Sequence, residues 1–377
     1  MKVLFLIFHG FEECNGISKK IQYQVEALKE CGLDVHICWL DDANNHKRRM
    51  IDNDILQDYG NGWKGKILKR TGLKCIYRYC VENKIDAVYA RSDHNTTPFL
   101  INLYRKLQRQ KIKVVMEIPT YPYDQEYKGL PFGYQRVLFV DKCLRQLMAR
   151  YINKIVTFSA DKTIFGCPTI RIANGINFNA IPLKTASTAL TGNKLHLIAI
   201  ATIHPWHGFD RAIRGLADYY REQGNTASTP TNVILHIVGA GVPEVIDQYH
   251  KLVNANNLQE KVIFHGPLFG EALDKIFDQC QAGIGSLARH RSGITHLRSL
   301  KNREYAARGI PFVYSEIDND FEQMPYILKA PADETPLDIN RIIQFRQSVL
   351  LTPQEIRQSI EQTLSWKVQM EQVIKNL

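Results

Sequence analysis

A two-domain α/β fold is what this sequence predicts, from three observations. Apolar runs of strand length alternate with amphipathic helical stretches along the chain, glycine-bearing turns mark the strand-to-helix steps, and a threonine- and proline-bearing stretch at 179–193 divides the alternation in two. A length of 377 residues fits that division, because single cores stop growing near about 250–300 residues. The expected boundaries are a first domain at 1–178, a linker at 179–193, a second domain at 194–350 and a terminal helix at 351–377 that packs back on the first domain.

Composition narrows the function classes. Hydrophobic content of 45% and charged content of 23% are those of a globular protein, and no apolar run approaches the roughly 20 residues that span a bilayer. The apolar start at 3–8 has the length of a buried strand and no cleavage site after it, so a cytoplasmic location is expected. Cys14, Cys31, Cys38, Cys75, Cys80, Cys143, Cys167 and Cys280 show no C-x-x-C spacing and read as reduced thiols. The net charge of +10 points to an anionic partner: nucleic acid, a phospholipid surface or a phosphorylated substrate.

In order, 1–8 reads as a strand, 9–16 as a loop, 17–31 as a helix with Ile21, Val25 and Leu28 on one stripe, and 35–40 as a second parallel strand. The loop has Gly10 and Gly16 but no G-x-G-x-x-G, which argues against dinucleotide binding. Residues 41–78 read as the least regular and most basic part. From Gly62 to Arg78 six cations and no acid interleave with Trp63, Ile67, Leu68, Leu73, Ile76 and Tyr77. That pattern suits an interfacial segment on an anionic membrane, and equally a solvated helix beside an acceptor groove. No nucleic-acid motif accompanies the charge, so nucleic acid is not an expected partner. A strand at 85–90, a helix at 97–108, a strand at 114–118, a helix from 139 to about 153 and a strand at 154–159 complete the first half. The second half places strands at 195–201, 233–238, 262–268 and 282–286, with a helix running to about 220.

The stretch with the clearest chemistry is 299–314. It reads as a short helix starting near Ser299, stopped by Gly309 in the left-handed conformation and by Pro311, and feeding a strand. Lys301 and Glu304 share one face of its first turn, where free N–H groups and the helix dipole favour an anion. A cation, an acid and free amides together suit a sugar bearing a diphosphate.

The run Ser299-Leu300-Lys301-x-x-Glu304-Tyr305-x-Ala307-x-Gly309-x-Pro311-Phe312-Val313 resembles the donor-binding segment of family-4 glycosyltransferases, retaining enzymes of the GT-B fold. The resemblance implies two Rossmann-like domains facing across a cleft, with the terminal helix crossing back to the first. It implies transfer of a sugar from a nucleotide-diphosphate sugar, with retention and without metal or cofactor, to a glycan or lipid-linked acceptor in cell-envelope polysaccharide synthesis, either in the cytoplasm or at the inner face of the plasma membrane. Glu304 is then expected on the ribose and Lys301 on the donor phosphates. His207 joins Lys301 and Glu304 as a catalytic candidate, able to donate to a phosphate oxygen when neutral and to bind it better when protonated. Further donor contacts fall at Gly16, Thr202, Gly239, Gly241, Gly266, Pro267, Ser299 and Leu300, with backbone N–H groups of Ser292, Gly293, Ile294 and Thr295 offered to phosphate as a nest. Asn174-Gly175 resembles the end of the first domain, and Leu364-Ser365-Trp366 the family's closing motif.

Four positions, in three places along the chain, depart from the family. Pro119 stands where a sugar-facing histidine is usual, Thr202 and His207 where an arginine and a lysine contact the diphosphate, and His296 where a first glutamate precedes the second by eight residues. His94, Glu117, Thr120 and Tyr123 remain as candidates for the sugar or acceptor side, each on strand-end placement alone. The Asp-x-Asp spacings at Asp52/Asp54 and Asp318/Asp320 read as loop acids rather than metal ligands. Two other functions fit the same pattern: a non-catalytic sugar- or lipid-binding protein, and a nucleotide-sugar epimerase of similar fold.

Overall fold

The computed structural model describes residues 1–11, 16–127, 130–185, 193–223 and 231–377. These form two compact units, Met1–Ala173 with Trp366–Leu377, and Asn174–Ser365.

In the first unit β1 (Lys2–Leu6) leads to α1 (Gly16–Glu30) and the parallel β2 (Asp34–Asp41). Val3 through Ile7 are 2% exposed or less, as a strand covered on both faces requires. A hairpin of β3 (His46–Ile51) and β4 (Asp54–Asn61) then extends the sheet antiparallel, followed by α2 (Gly62–Thr71) and α3 (Lys74–Glu82). The expectation of an irregular 41–78 is thus corrected. The inward positions of β3 are Lys47, Arg49 and Ile51, so the apolar alternation that announces a strand is missing. Arg49 is fully buried and donates to the Ile7 carbonyl at 2.9 Å.

The unit continues with β5 (Ala87–Arg91), α4 (Pro98–Arg109), β6 (Lys113–Ile118), α5 (Phe132–Ala149), β7 (Lys154–Thr157), β8 (Thr163–Ile164) and β9 (Cys167–Arg171). The sheet order is β4-β3-β2-β1-β5-β6-β7-β9-β8. Helix α5 starts well before the expected 139, because its outer face is apolar too: Phe132 is 77% and Phe139 69% exposed while Leu138 and Met148 face the core, which blurs the helical period.

In the second unit β10 (Lys194–Ile200), α6 (Phe209–Gln223), β11 (Asn232–Val238), α7 (Pro243–Ala255), β12 (Val262–Gly266), α8 (Gly270–Gln279), β13 (Ala282–Ile284), α9 (Leu300–Arg308), β14 (Phe312–Tyr314) and β15 (Ile327–Lys329) build an all-parallel sheet of order β12-β11-β10-β13-β14-β15. Helices α10 (Ile339–Ser348) and α11 (Pro353–Leu364) close this unit. The stretch 351–377 is two helices: after an extended Ser365, α12 (Trp366–Lys375) belongs to the first unit, where Trp366, Met370 and Val373 pack in one core with Ile21, Val25 and Leu28 of α1. Of the linker stretch, Lys184 is buried and donates to the Phe277 carbonyl at 2.9 Å, while 186–192 lie outside the described residues. The seven cysteines in the described residues are free thiols, and Cys14 lies outside them.

Three imidazoles cross the second sheet. His236 on β11 bonds His196 on β10 and His265 on β12, each at 2.9 Å. Burial, and then the two neighbouring rings, push the His236 pKa down to about 4. The folded chain therefore binds fewer protons than the unfolded chain between that value and the usual 6.5, and stability is lost as pH falls through this window. Between pH 7 and 5 the loss from this one ring is about 2 kcal/mol. Urea unfolding of His236→Gln should show a correspondingly shallower fall over the same range; an unchanged slope contradicts the neutral ladder.

Candidate functional site

Helix α9 is fixed by residues the sequence pattern treats as ordinary. Tyr305 is fully buried, and its hydroxyl donates to the Ile284 carbonyl at 2.9 Å, tying the helix to β13. A Cβ on Gly283 would come within 2.7 Å of the Tyr305 ring, so glycine is required where the ring lies across the strand. Arg303, fully buried, reaches the carbonyls of Asn174 and Ser299, each at 3.1 Å, and the carboxylates of Asp318 and Asp320. The helix ends at Gly309, with φ of 77°, where a Cβ would also strike Pro353. Asp318 and Asp320, read as loop acids, are thus the clamp on Arg303.

With those residues committed, Lys301 and Glu304 are left on the first turn. Ser299 is in the N-cap position and makes no side-chain cap bond. Lys301 donates to the hydroxyl of the buried Ser286 at 3.0 Å, and among the described residues no carboxylate pairs with it. Burial, then the nearby Arg289, lowers its pKa to about 7, offset in part by Glu316. Glu304 keeps about a quarter of its side chain exposed (27%) and accepts from Arg308 Nε at 3.1 Å.

The loop after β10 joins this cluster. Its Gly208 has φ of 66°, and a Cβ there would meet that of Ala288 at 2.7 Å, so only glycine lets the loop seat against 287–288. His207 is 6% exposed, and its Nδ1 accepts from the His204 amide at 3.1 Å, which leaves the ring proton on Nε2. Burial, then Lys301 and Arg289, pushes its pKa far down, so a protonated His207 is not what this site offers. The neutral ring is a single N–H donor. Thr202 is exposed on the same loop.

Several predicted donor contacts have structural roles. Cβ atoms on Gly239 and Gly241 would lie 1.8 Å from the Ala201 carbonyl oxygen and 2.0 Å from that of Ile203, so these glycines let two loops meet backbone to backbone at the ends of β10 and β11. Gly266 accepts from the Gly239 amide at 2.8 Å, and Pro267 after it is exposed. Of the nest expected at 292–295, two amides are already used: those of Gly293 and Ile294 bond the His290 and Arg289 carbonyls at 2.9 and 3.2 Å, closing their own turn. Leu300 is 37% exposed at the helix start, and Gly16 is the first residue of α1 with open space where a Cβ would stand.

The first unit's candidates resolve separately. Glu117 is fully buried, and Gln24 (2.6 Å), Tyr89 (2.7 Å), Arg91 and Lys20 surround its carboxylate. Burial alone would push its pKa up, but Lys20 and Arg91 hold it down at about 2. It is a charge hub of the core, not a group left for sugar hydroxyls. Tyr123 is buried and donates to Asp141 at 2.6 Å, and His94 stacks on its ring at 3.8 Å with Nε2 unpartnered and a pKa pushed down to about 4 by burial. Thr120 is half-buried. His94 and Tyr123 are brought together; Glu117 is not available. Among the described residues no group of three or more His, Cys, Asp or Glu could hold a metal.

Ser286, Arg289, Arg303 and Glu316 were not among the residues expected at the site. Arg303 carried a signal, standing inside the motif with two acids downstream, whereas the others meet Lys301 only through the fold.

No protein-family model matches the chain, and no curated protein matches its sequence. Solved structures do match along its whole length. Sucrose-phosphate synthase from Thermosynechococcus elongatus aligns over 99% of this chain and 98% of its own, at 14% identity with a TM-score of 0.68. Anabaena HepE, solved in complex with UDP-glucose, aligns over 100% and 99% at 15% identity and 0.60. The chain has the GT-B fold. A UDP-GlcNAc 2-epimerase from Neisseria meningitidis, bound to UDP-GlcNAc, also aligns over 100% of both chains, at 12% identity and 0.53.

Proposed function

We propose that this protein is a retaining, metal-independent glycosyltransferase that takes its sugar from a nucleoside diphosphate donor held by the second unit. The observation that carries this is Lys301: a desolvated ammonium at an uncapped helix start, hydrogen-bonded to a serine and paired with no acid among the described residues. Such a group is strained until an anion arrives, and the leaving diphosphate is the anion whose charge grows as the sugar becomes oxocarbenium-like. His207 adds a neutral N–H donor, and Glu304 is the carboxylate for the ribose hydroxyls. The complexes of HepE with UDP-glucose and of a Staphylococcus aureus TarM variant with UDP support a nucleotide ligand for this fold. Incubation with UDP-, GDP- and ADP-sugars should release the nucleoside diphosphate, faster with acceptor; conversion between epimeric donors without release favours the epimerase reading, which the likeness to the Neisseria enzyme raises.

The first unit supports a glycan or lipid-linked acceptor at an anionic membrane, as in cell-envelope polysaccharide synthesis. Trp63 and Ile67 on α2 are 68% and 51% exposed among Lys64, Lys66 and Lys69. The exposed face of α5 carries Phe132 and Phe139 with Arg136 and Lys142, the latter paired with Asp124 at 3.1 Å, and Arg150 follows the helix; its one acid, Asp141, is buried. Lys69 is paired with Asp42 at 2.8 Å, which leaves Lys64, Lys66 and Arg136 beside the exposed aromatic groups, a combination that an anionic lipid surface attracts. The protein should float with phosphatidylglycerol vesicles at low salt, and Phe139→Glu should reduce this several-fold; absence of binding at low salt contradicts the membrane reading.

A further inference from the structure

Glu316 follows β14 and is 2% exposed, yet neither of its carboxylate oxygens has a hydrogen-bond partner. The neighbouring donors are used elsewhere. Lys329 on β15 gives its ammonium to the Glu316 carbonyl and, at 2.9 Å, to the Glu322 carboxylate, and Arg303 is held by Asp318 and Asp320. Lys301 and Arg289 act on Glu316 through their charge, and its carboxylate oxygens receive no hydrogen bond from either.

The chain places this acid beside the donor cluster. The Ser315 amide bonds the carbonyl of Ser286 at 3.0 Å, and it is the Ser286 hydroxyl that receives the Lys301 ammonium. Glu316 therefore stands one residue from the point where the ends of β13 and β14 meet under Lys301. Leaving a buried carboxyl without donors costs stability, and such groups in folded proteins call for an explanation. Burial pushes its pKa up to about 7, offset in part by its own backbone amide and then by Lys301 and Arg289, with no other residue donating to it.

We propose that Glu316 accepts hydrogen bonds from the hydroxyl groups of the transferred sugar. Two empty acceptor oxygens match a polyhydroxylated ligand, whose O–H groups donate without bringing charge, while Lys301 and Arg289 take the anionic end. A phosphate at Glu316 would meet like charge. This inference rests on the proposed donor site, and it assigns the sugar-recognising acid within it.

The test compares wild type, Glu316→Gln and Glu316→Met by titration with UDP, GDP and ADP and with their hexose conjugates. Both variants should melt at a higher temperature than wild type near pH 8, because an unpartnered buried carboxylate is removed. The diphosphate that binds wild type should bind both variants within about twofold, while its sugar conjugate should lose about 10- to 100-fold in affinity, the range for hydrogen bonds to a charged group. If the conjugate binds the variants as tightly as wild type, or binds wild type no better than the bare diphosphate, the role of Glu316 is overturned and the donor site stands. If no diphosphate binds wild type, both readings fail.

Discussion

Lys301→Met should lower turnover about 10²- to 10³-fold, the usual loss when one preorganised donor to a developing charge is removed. It should do so without weakening the fold. Burial lowers the Lys301 pKa to about 7, so the folded protein binds fewer protons than the unfolded chain between 7 and the usual lysine value of 10.5. Its cost to stability is therefore fully present below pH 7 and fades as pH rises towards 10.5. Methionine removes that cost, and the variant should melt at or above the wild-type temperature at pH 7, with the difference shrinking at alkaline pH. Normal turnover would contradict the phosphate role, and a large drop in melting temperature would make Lys301 a structural residue.

Arg303→Met should behave in the opposite way. The guanidinium is fully buried between Asp318, itself fully buried, and Asp320. Removing one partner of a buried pair leaves an uncompensated charge and typically costs about 3–5 kcal/mol. The loss should appear in urea unfolding as a fall in midpoint. Arg303→Met combined with Asp318→Asn should recover part of it, because the orphaned carboxylate is then gone. A cost below about 1 kcal/mol would mean that Arg303 does not anchor α9.

These two residues mark how far the sequence could be read. Helix α9 was legible because Gly309 and Pro311 end it by backbone geometry, and Lys301 and Glu304 because three-residue spacing sets them on one face of its first turn. The parallel strands were legible because residues buried on both faces are continuously apolar. Strand β3 was not, since its inward positions are Lys47 and Arg49, and α5 was misplaced because Phe132 and Phe139 are apolar yet exposed. Gly239 and Gly241, expected as ligand contacts, are in the structure sites of loop-to-loop approach; the sequence marks that backbone must come close, but not to what. Glu117 was marked only by its strand-end position and Glu316 not at all, because what defines each is its partners or lack of them, brought together only by the fold.

In the proposed reaction α9 and Lys301 hold a nucleoside diphosphate. Calorimetric titration of wild type and Lys301→Met with UDP, GDP and ADP, each against its parent nucleoside, measures that directly. One diphosphate should bind wild type, its nucleoside should bind far more weakly, and Lys301→Met should remove most of the difference. Equal binding of that diphosphate by both proteins, or no binding of any by wild type, would contradict that role.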